Sequence, residues 1–277
     1  MEVSSENGAL KTVAVMSPRF YRETAPINRK QAVEYALREV DLAQLLDEHA
    51  ELAHALVASG IEVLDLVPNE LQPYALNIRD AAVVVGNELF ACSMGKDLRR
   101  TEPYWIVPQL GHAKDAVFVR VGHLEGGDVF VLPHACLVGV SDRTDLAGVA
   151  SFAQFVDRMV VPVPLREGVL HLDTALNVIG STLVVAPDLL DDYEAFKREF
   201  ELLGIESVVE ITADEAWELE TNFLVVAPDR AIAALSSVIG RRILESNGVE
   251  VLGVTMREHQ RIGGSVRCAT LPLDRVA

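Results

Sequence analysis

The stretch AAVVVGNELFACSM, residues 81–94, decides the fold. Two short apolar runs flank Gly86–Asn87, a pair suited to a tight turn, so the segment reads as a β-hairpin. The same shape returns three times. DVFVLPHACLVGVS (128–141) turns at Pro133–His134, HLDTALNVIGSTLVVAP (171–187) at Gly180–Ser181, and NFLVVAPDRAIAAL (222–235) at Asp229–Arg230. Between the hairpins lie stretches that read as helices: TDLAGVASFAQFVDRM (144–159), LLDDYEAFKREFELLG (189–204) and SVIGRRILESNG (237–248). A further strand follows each of them: VVPVPL (160–165), ESVVEI (206–211) and EVLGVTM (250–256).

Upstream, KTVAVMSP (11–18) is a β-rich run that stops at Pro18. Residues 31–60 carry apolar side chains at three and four spacing and end on Gly60, so they read as one or two amphipathic helices. IEVLDLVP (61–68) follows as a strand. The chain therefore repeats a strand–strand–helix–strand unit, and five such units would take about 55 residues each. Hairpins alternating with helices do not fit a purely parallel doubly wound sheet. The expectation is an α/β chain of radial or stacked repeats. Residues 1–10 are read as a flexible, polar N-terminus and 11–277 as a single domain with no linker.

Half of the 277 residues are hydrophobic and only 6% are aromatic, so the core is built mainly from Val, Leu, Ile and Ala. A formal net charge of −17 disfavours nucleic acid and anionic membranes and favours a small cationic partner, although an acidic surface also serves solubility. No apolar run reaches the ~18 residues of a membrane span. The N-terminus MEVSSENGALK does not resemble a secretory signal. The three cysteines show no CxxC spacing, which supports neither a zinc site nor a disulfide framework. The expectation is a cytoplasmic protein without metal or cofactor.

Four motifs place ionisable residues where strands begin: NIRD (77–80), LEGGDV (124–129), LHLDT (170–174) and GGSVRC (263–268). Each has a plain structural reading. Cys268 is a small apolar residue, but a glycine pair precedes it and Arg267 adjoins it, and a cationic neighbour depresses a thiol pKa. His171 and Asp173 are two apart and would share one face of a strand. Asp80 follows Arg79 and could form a surface ion pair; Glu125 precedes two glycines and could belong to a turn. Arg143 could flank a helix that Thr144 or Asp145 caps. Taken jointly, the set has a chemical logic: a soft nucleophile, a proton shuttle, and carboxylates able to clamp a planar cation such as a guanidinium.

RDAAVVVGNELF, EGGDVF, GVSDRTD, HLDTALNVIG and GGSVRCATLPLDR together resemble the guanidino-modifying superfamily of arginine deiminases, dimethylarginine hydrolases, arginine dihydrolases and amidinotransferases, from about residue 75 to 275. The resemblance implies a five-bladed ββαβ α/β propeller, the pentein fold. It implies Cys268 as nucleophile forming a thiouronium adduct, His171 as acid and base, and Glu125 as the residue that orients His171. Asp80 and Asp173 would hold the guanidinium, and Arg143 the substrate carboxylate, with Arg99 or Arg100 as a second contact and Asn28 similar to the N-terminal asparagine of the dihydrolases. The dimethylarginine hydrolases as a rule lack an aspartate two after the histidine, whereas this chain has Asp173. Deiminases carry an insertion that does not fit between Asp80 and Glu125. A compact hydrolase of arginine or a close relative is the expected activity, with an amidinotransferase and a dimethylarginine hydrolase as alternatives. A small cationic guanidino substrate is the expected partner, and a homodimer the candidate assembly.

Overall fold

The computed structural model describes residues 1–111 and 115–276. It contains five sheets of three strands each. In each sheet the middle strand pairs antiparallel with one neighbour and parallel with the other. Val129–Val131 and Ala135–Val140 form one hairpin, and Met159–Pro164 returns parallel to Ala135–Val140 after the helix Leu146–Ala153. Ala82–Val85, Glu88–Ala91 and Val117–Phe118 repeat this pattern. So do Leu176–Ile179, Thr182–Val185 and Ser207–Glu210, and again Leu224–Ala227, Arg230–Ala234 and Glu250–Val254. The hairpin glycines Gly86 and Gly180 take φ of +57° and +59°, which a β-carbon would strain.

The remaining sheet joins the two ends of the chain. Ala9–Met16 lies at its centre, parallel to Glu62–Leu66 and antiparallel to Leu271–Val276, with Ala9 opposite Val276. The five-unit expectation is met, but the strand that completes this unit comes from the C-terminus. Local patterning does not reveal such a long-range pairing. Between residues 29 and 60 the chain forms two helices, Arg29–Glu34 and Leu42–Ala58. Asp41 caps the second by accepting from the backbone N–H groups of Ala43 and Gln44.

Apolar side chains pack between neighbouring sheets all the way round. Val13 and Val15 of the first sheet meet Leu224 and Ile232 of the last, while Ala14, Met16 and Leu271 meet Val83 and Phe90 of the second. Residues 1–10, expected to be flexible, lie against this ring. Val3 exchanges two backbone hydrogen bonds of 2.8 Å with Gly86, and the Glu6 amide donates to the Val131 carbonyl at 2.8 Å. The polar segment is held because its backbone groups and the Glu6 charge find partners there.

Leu271 is fully buried in the closing strand, whereas Val276 is half exposed. Leu271→Ala should lower unfolding stability by about 2–5 kcal/mol in urea titrations, against less than about 0.5 for Val276→Ala. Equal losses would show that this strand does not close the ring.

Candidate active site

One loop from each sheet leads to the same place. Short 3-10 turns precede the first strands of three sheets: Ile78–Ala81, Gly126–Asp128 and Leu172–Thr174. They carry Asp80, Glu125 and Asp128, and His171 with Asp173. The last sheet is entered through Asn222, and the turn before Leu271–Val276 carries Cys268. His171 and Asp173 therefore sit on a tight turn rather than on one face of a strand, because the chain has not yet entered the sheet.

The site is buried and crowded with charge. His171 Nε2 lies 2.8 Å from Glu125 Oε2. Its Nδ1 lies 3.6 Å from Asp80 Oδ1, beyond hydrogen-bond reach. Glu125 also accepts from the Gly95 amide at 2.9 Å and from Arg143 Nη1 at 3.2 Å. Asp80 Oδ2 accepts from Arg99 Nη1 at 2.6 Å. Asp173 Oδ2 accepts from Arg267 Nη1 at 2.9 Å and lies 3.5 Å from Cys268 Sγ. Asp80 Oδ1, Asp173 Oδ1 and His171 Nδ1 are among the buried polar atoms that have no hydrogen-bond partner in the described residues. Buried acceptors in that state call for a donor from elsewhere.

A small, tight cavity opens here, lined among others by Asp80, Arg143, His171 and Cys268. Asp173 lies beside it, with Oδ2 3.5 Å from the Cys268 sulfur in its wall. Gly127 makes the close approach of the acid and base groups feasible. A β-carbon on it would lie 2.7 Å from Asp80 Oδ1 and 2.8 Å from His171 Nδ1. On Gly264, which precedes the nucleophile loop, it would lie 3.0 Å from the Cys268 β-carbon.

Burial alone would lower the His171 pKa, but Asp80, Asp128 and Glu125 outweigh it and raise it to about 9. Burial would raise Glu125, and the cations Arg143 and His171 hold it well below the usual carboxylate range instead. At neutral pH the two form an imidazolium–carboxylate pair. Cys268 moves against expectation: burial, then Asp173 and Asp80, push the thiol well above its ordinary value, while the Ser265 amide and Asn222 pull it down only in part. Arg267 does not activate the thiol, because its guanidinium turns to Asp173 and Glu6 and stacks on Phe130, 3.8 Å from the ring centre.

The other expected residues separate. Arg143 lines the cavity, held by Glu125 and by the Ile27 carbonyl at 2.7 Å. Arg99 lines it too, but its donors are taken by Asp80, Glu102 and the carbonyls of Tyr74 and Asn77, so it positions Asp80. Arg100 lies outside, its side chain 59% exposed and paired with Asp97. Asn28 borders the cavity, while its amide caps the helix Arg29–Glu34 and donates to the Ile262 carbonyl. Arg79 pairs with Glu6 at 3.7 Å rather than with Asp80, and Asp145 caps Leu146–Ala153.

Sequence reasoning missed Asn222 and Glu6. Asn222 accepts from the Cys268 amide at 3.2 Å and donates to Sγ at 3.2 Å, which fixes the sulfur. Its position before the fourth hairpin matches that of Asp80, Glu125 and Asp173 in theirs, and that was the available signal. Glu6 pairs with Arg267 at 3.1 Å, and no local pattern marks it. Asp80, Glu125 and His171 bring potential metal-ligand atoms within 4.8 Å of one another. The Arg99 and Arg143 guanidiniums already supply positive charge to those carboxylates.

Residues 17–275 match the family model described as N,N dimethylarginine dimethylhydrolase, eukaryotic, and the chain belongs to that family. The protein is thus a guanidino-group hydrolase or transferase of the superfamily its motifs resemble. The uncharacterized protein YkgA of Bacillus subtilis is 26% identical over 98% of this chain and 94% of its own length. An arginine deiminase of Rhodococcus erythropolis is 27% identical over 78% of this chain, which spans only 62% of that enzyme. The fold matches a DDAH from Pseudomonas aeruginosa complexed with citrulline, at TM-score 0.79 and 20% identity over 96% of this chain and all of that one. It also matches the N-terminal domain of the cyanobacterial arginine dihydrolase ArgZ, at TM-score 0.82 and 20% identity over 96% and 98%.

Gly127→Ala should place a methyl group between Asp80 and His171 and cut kcat/KM at least about 100-fold, since small displacements cost that much. Its fold should be kept, as checked by circular dichroism, because the atoms displaced belong to side chains and not to the backbone. Full activity in the alanine protein would show that the two side chains need not approach. Cys268 should react slowly with iodoacetamide at neutral pH, and more slowly than an ordinary exposed thiol as pH is raised into the alkaline range, followed by peptide mass. Rapid labelling at pH 7 would contradict a thiol raised by burial.

Proposed function

We propose that the protein is a cysteine-dependent hydrolase of the guanidino group of arginine or a close relative, releasing ammonia and citrulline or its analogue. The observation that carries this is the pair of buried, unpartnered carboxylate oxygens near the thiol, Asp80 Oδ1 and Asp173 Oδ1. A guanidinium offers planar N–H donors and one positive charge, which suits that deficit.

Arrival of the cation would offset the Asp80 and Asp173 charges that hold the thiol protonated, so the thiol loses its proton to solvent. The sulfur then attacks the guanidino carbon. As the adduct collapses, the C–N bond breaks and the His171 imidazolium gives its proton to the departing nitrogen, which leaves as ammonia. The neutral imidazole next takes a proton from water, whose oxygen bonds to the thiouronium carbon. The C–S bond breaks and the carbonyl product leaves. Glu125 keeps the imidazole aligned, and Asn222 keeps the sulfur aligned. Arg143 at the cavity wall would meet the substrate carboxylate. The three cysteines are unpaired, in keeping with a cytoplasmic setting.

The matched family description favours a second reading, hydrolysis of dimethylarginine. Asp173 separates the two. Each charge-assisted contact is worth roughly 1.5–3 kcal/mol, and a site built for an N–H can reject an analogue lacking it by about 10⁴-fold. Free arginine should therefore be used far better than asymmetric dimethylarginine, and Asp173→Ala should lower arginine turnover and shrink the difference. Equal or better kcat/KM on dimethylarginine than on every unmethylated guanidine would select the second reading. Cys268→Ser should bind substrate without turnover, and an adduct of the parent trapped on Cys268 would identify the donor. If the adduct passes to an added amine in preference to water, the protein is an amidinotransferase. The kcat/KM profile should be bell-shaped, falling above about pH 9 as His171 loses its proton.

A further inference from the structure

Asn77 opens the turn Ile78–Ala81 that carries Asp80, yet its side chain does not cap that turn. An asparagine in this position ordinarily bonds its own backbone. Here Oδ1 lies 2.8 Å from His259 Nε2 instead. An amide oxygen only accepts, so Nε2 carries the ring proton. Burial lowers the His259 pKa to about 3, which keeps the imidazole neutral. The ring is itself held in place, because Glu48 accepts from the backbone N–H of Glu258 at 3.0 Å and of His259 at 3.1 Å. Asn77 lines the cavity beside Asp80, His171 and Cys268, and among the described residues its Nδ2 donates to no group. The amides of Asn28 and Gln31, which line the same cavity, donate to the Ile262 carbonyl. Asn77 also stands at the nucleophile end. The Arg79 amide donates to the Cys268 carbonyl at 3.2 Å. A β-carbon on Gly264 would lie 2.5 Å from Asn77 Oδ1 and 3.0 Å from the Cys268 β-carbon.

We infer that Asn77 is a further catalytic residue, whose Nδ2–H binds the oxygen of the water that hydrolyses the Cys268 adduct, and that His259 is the positioning residue that aims it. This rests on the guanidino-hydrolase reading and names the water site within it. A guanidinium carries N–H donors and no acceptor, so a donor at this end of the cavity finds nothing on the incoming substrate. The first acceptor to arrive there is the water oxygen. One of its lone pairs bonds to the thiouronium carbon, one of its protons passes to the His171 imidazole, and its other lone pair accepts from Asn77. As the C–S bond breaks, its electron pair returns to the sulfur, which takes up the remaining hydroxyl proton. The oxygen becomes the product carbonyl and keeps the Asn77 hydrogen bond. Asp80 and Asp173, which only accept, cannot serve that oxygen.

The test separates the two halves of the reaction. The protein turning over saturating arginine is quenched in acid and weighed intact. The ratio of Cys268 adduct to free protein, taken with kcat, gives the rate constants of adduct formation and of hydrolysis, whichever is slower. Asn77→Leu keeps the bulk and removes the donor. It should slow hydrolysis at least about tenfold, the usual loss for one hydrogen bond, and leave adduct formation within about twofold of the parent. The adduct fraction should therefore rise while kcat/KM, which reports the steps up to release of ammonia, holds. Adduct formation at the parent rate also shows that the variant has kept its fold. His259→Leu should show the same split, and His259→Gln, which keeps an N–H to face Asn77, should stay near the parent. Parent-like hydrolysis in His259→Leu would overturn the positioning role. If the parent turns over arginine and Asn77→Leu slows adduct formation as much as hydrolysis, or slows neither, the water site is overturned and the hydrolase reading stands. If the parent forms no Cys268 adduct with arginine or any other guanidine, the hydrolase reading itself fails and the water site falls with it.

Discussion

Asp80, Glu125 and Asp173 are all removed from water, and a buried carboxylate has to find a cation. Three guanidiniums meet that demand. Arg99 binds Asp80, Arg143 binds Glu125, and Arg267 binds Asp173. Such pairs add little net stability, because desolvation consumes most of what their attraction returns. Their effect is geometric. Each guanidinium occupies one side of its carboxylate, and for Asp80 and Asp173 the other oxygen is left without a partner. The counter-ions have counter-ions in turn: Glu102 on Arg99, and Glu6 on Arg267. The N-terminal segment is thereby tied to the same charge network as the nucleophile loop.

The propeller explains how residues as far apart in the chain as Asp80 and Cys268 line one cavity. Each sheet delivers its entry loop to the same region, so one short turn per sheet suffices. The turns are tight because the helical spans lie outside them, and glycine appears where two loops would collide. Gly126 is the case at the site, since a β-carbon there would lie 2.1 Å from the Arg79 carbonyl oxygen. An ordinary side chain at that position would push the Asp80 turn away from the Glu125 turn.

Much of this was legible in the sequence. Hairpins are local, so their alternation with helices revealed the units, and the motifs at strand entries revealed Cys268, His171, Glu125, Asp80 and Asp173. What escaped was non-local. The pairing of Leu271–Val276 with Ala9–Met16 links the chain ends, and the burial of Glu6 depends on Arg79 and Arg267. The direction of the Cys268 shift was misread because adjacency in sequence says nothing about where a guanidinium points. Arg267 adjoins Cys268 in the chain, yet its charge is spent on two carboxylates. Arg99 and Arg100 show the same limit: neighbours in the chain, one is buried against Asp80 and the other faces solvent.

Under the proposed reading, the resting site holds its protons in a particular order. The thiol is neutral because it is buried and because two carboxylates lie close to it, and the imidazole is charged because carboxylates surround it. The same negative potential therefore keeps the nucleophile idle and the acid loaded. A cation entering beside Asp80 and Asp173 weakens that potential most strongly next to the sulfur. The same cation also offsets Asp80, the first of the charges that raise His171, while the Asp128 charge and the short hydrogen bond to Glu125 remain to hold the proton. The thiol would then be released while the imidazolium keeps the proton it must later donate. A neutral ligand of the same shape would leave both groups protonated and the sulfur unreactive, so the charge of the substrate, as well as its fit, would govern when the cysteine reacts.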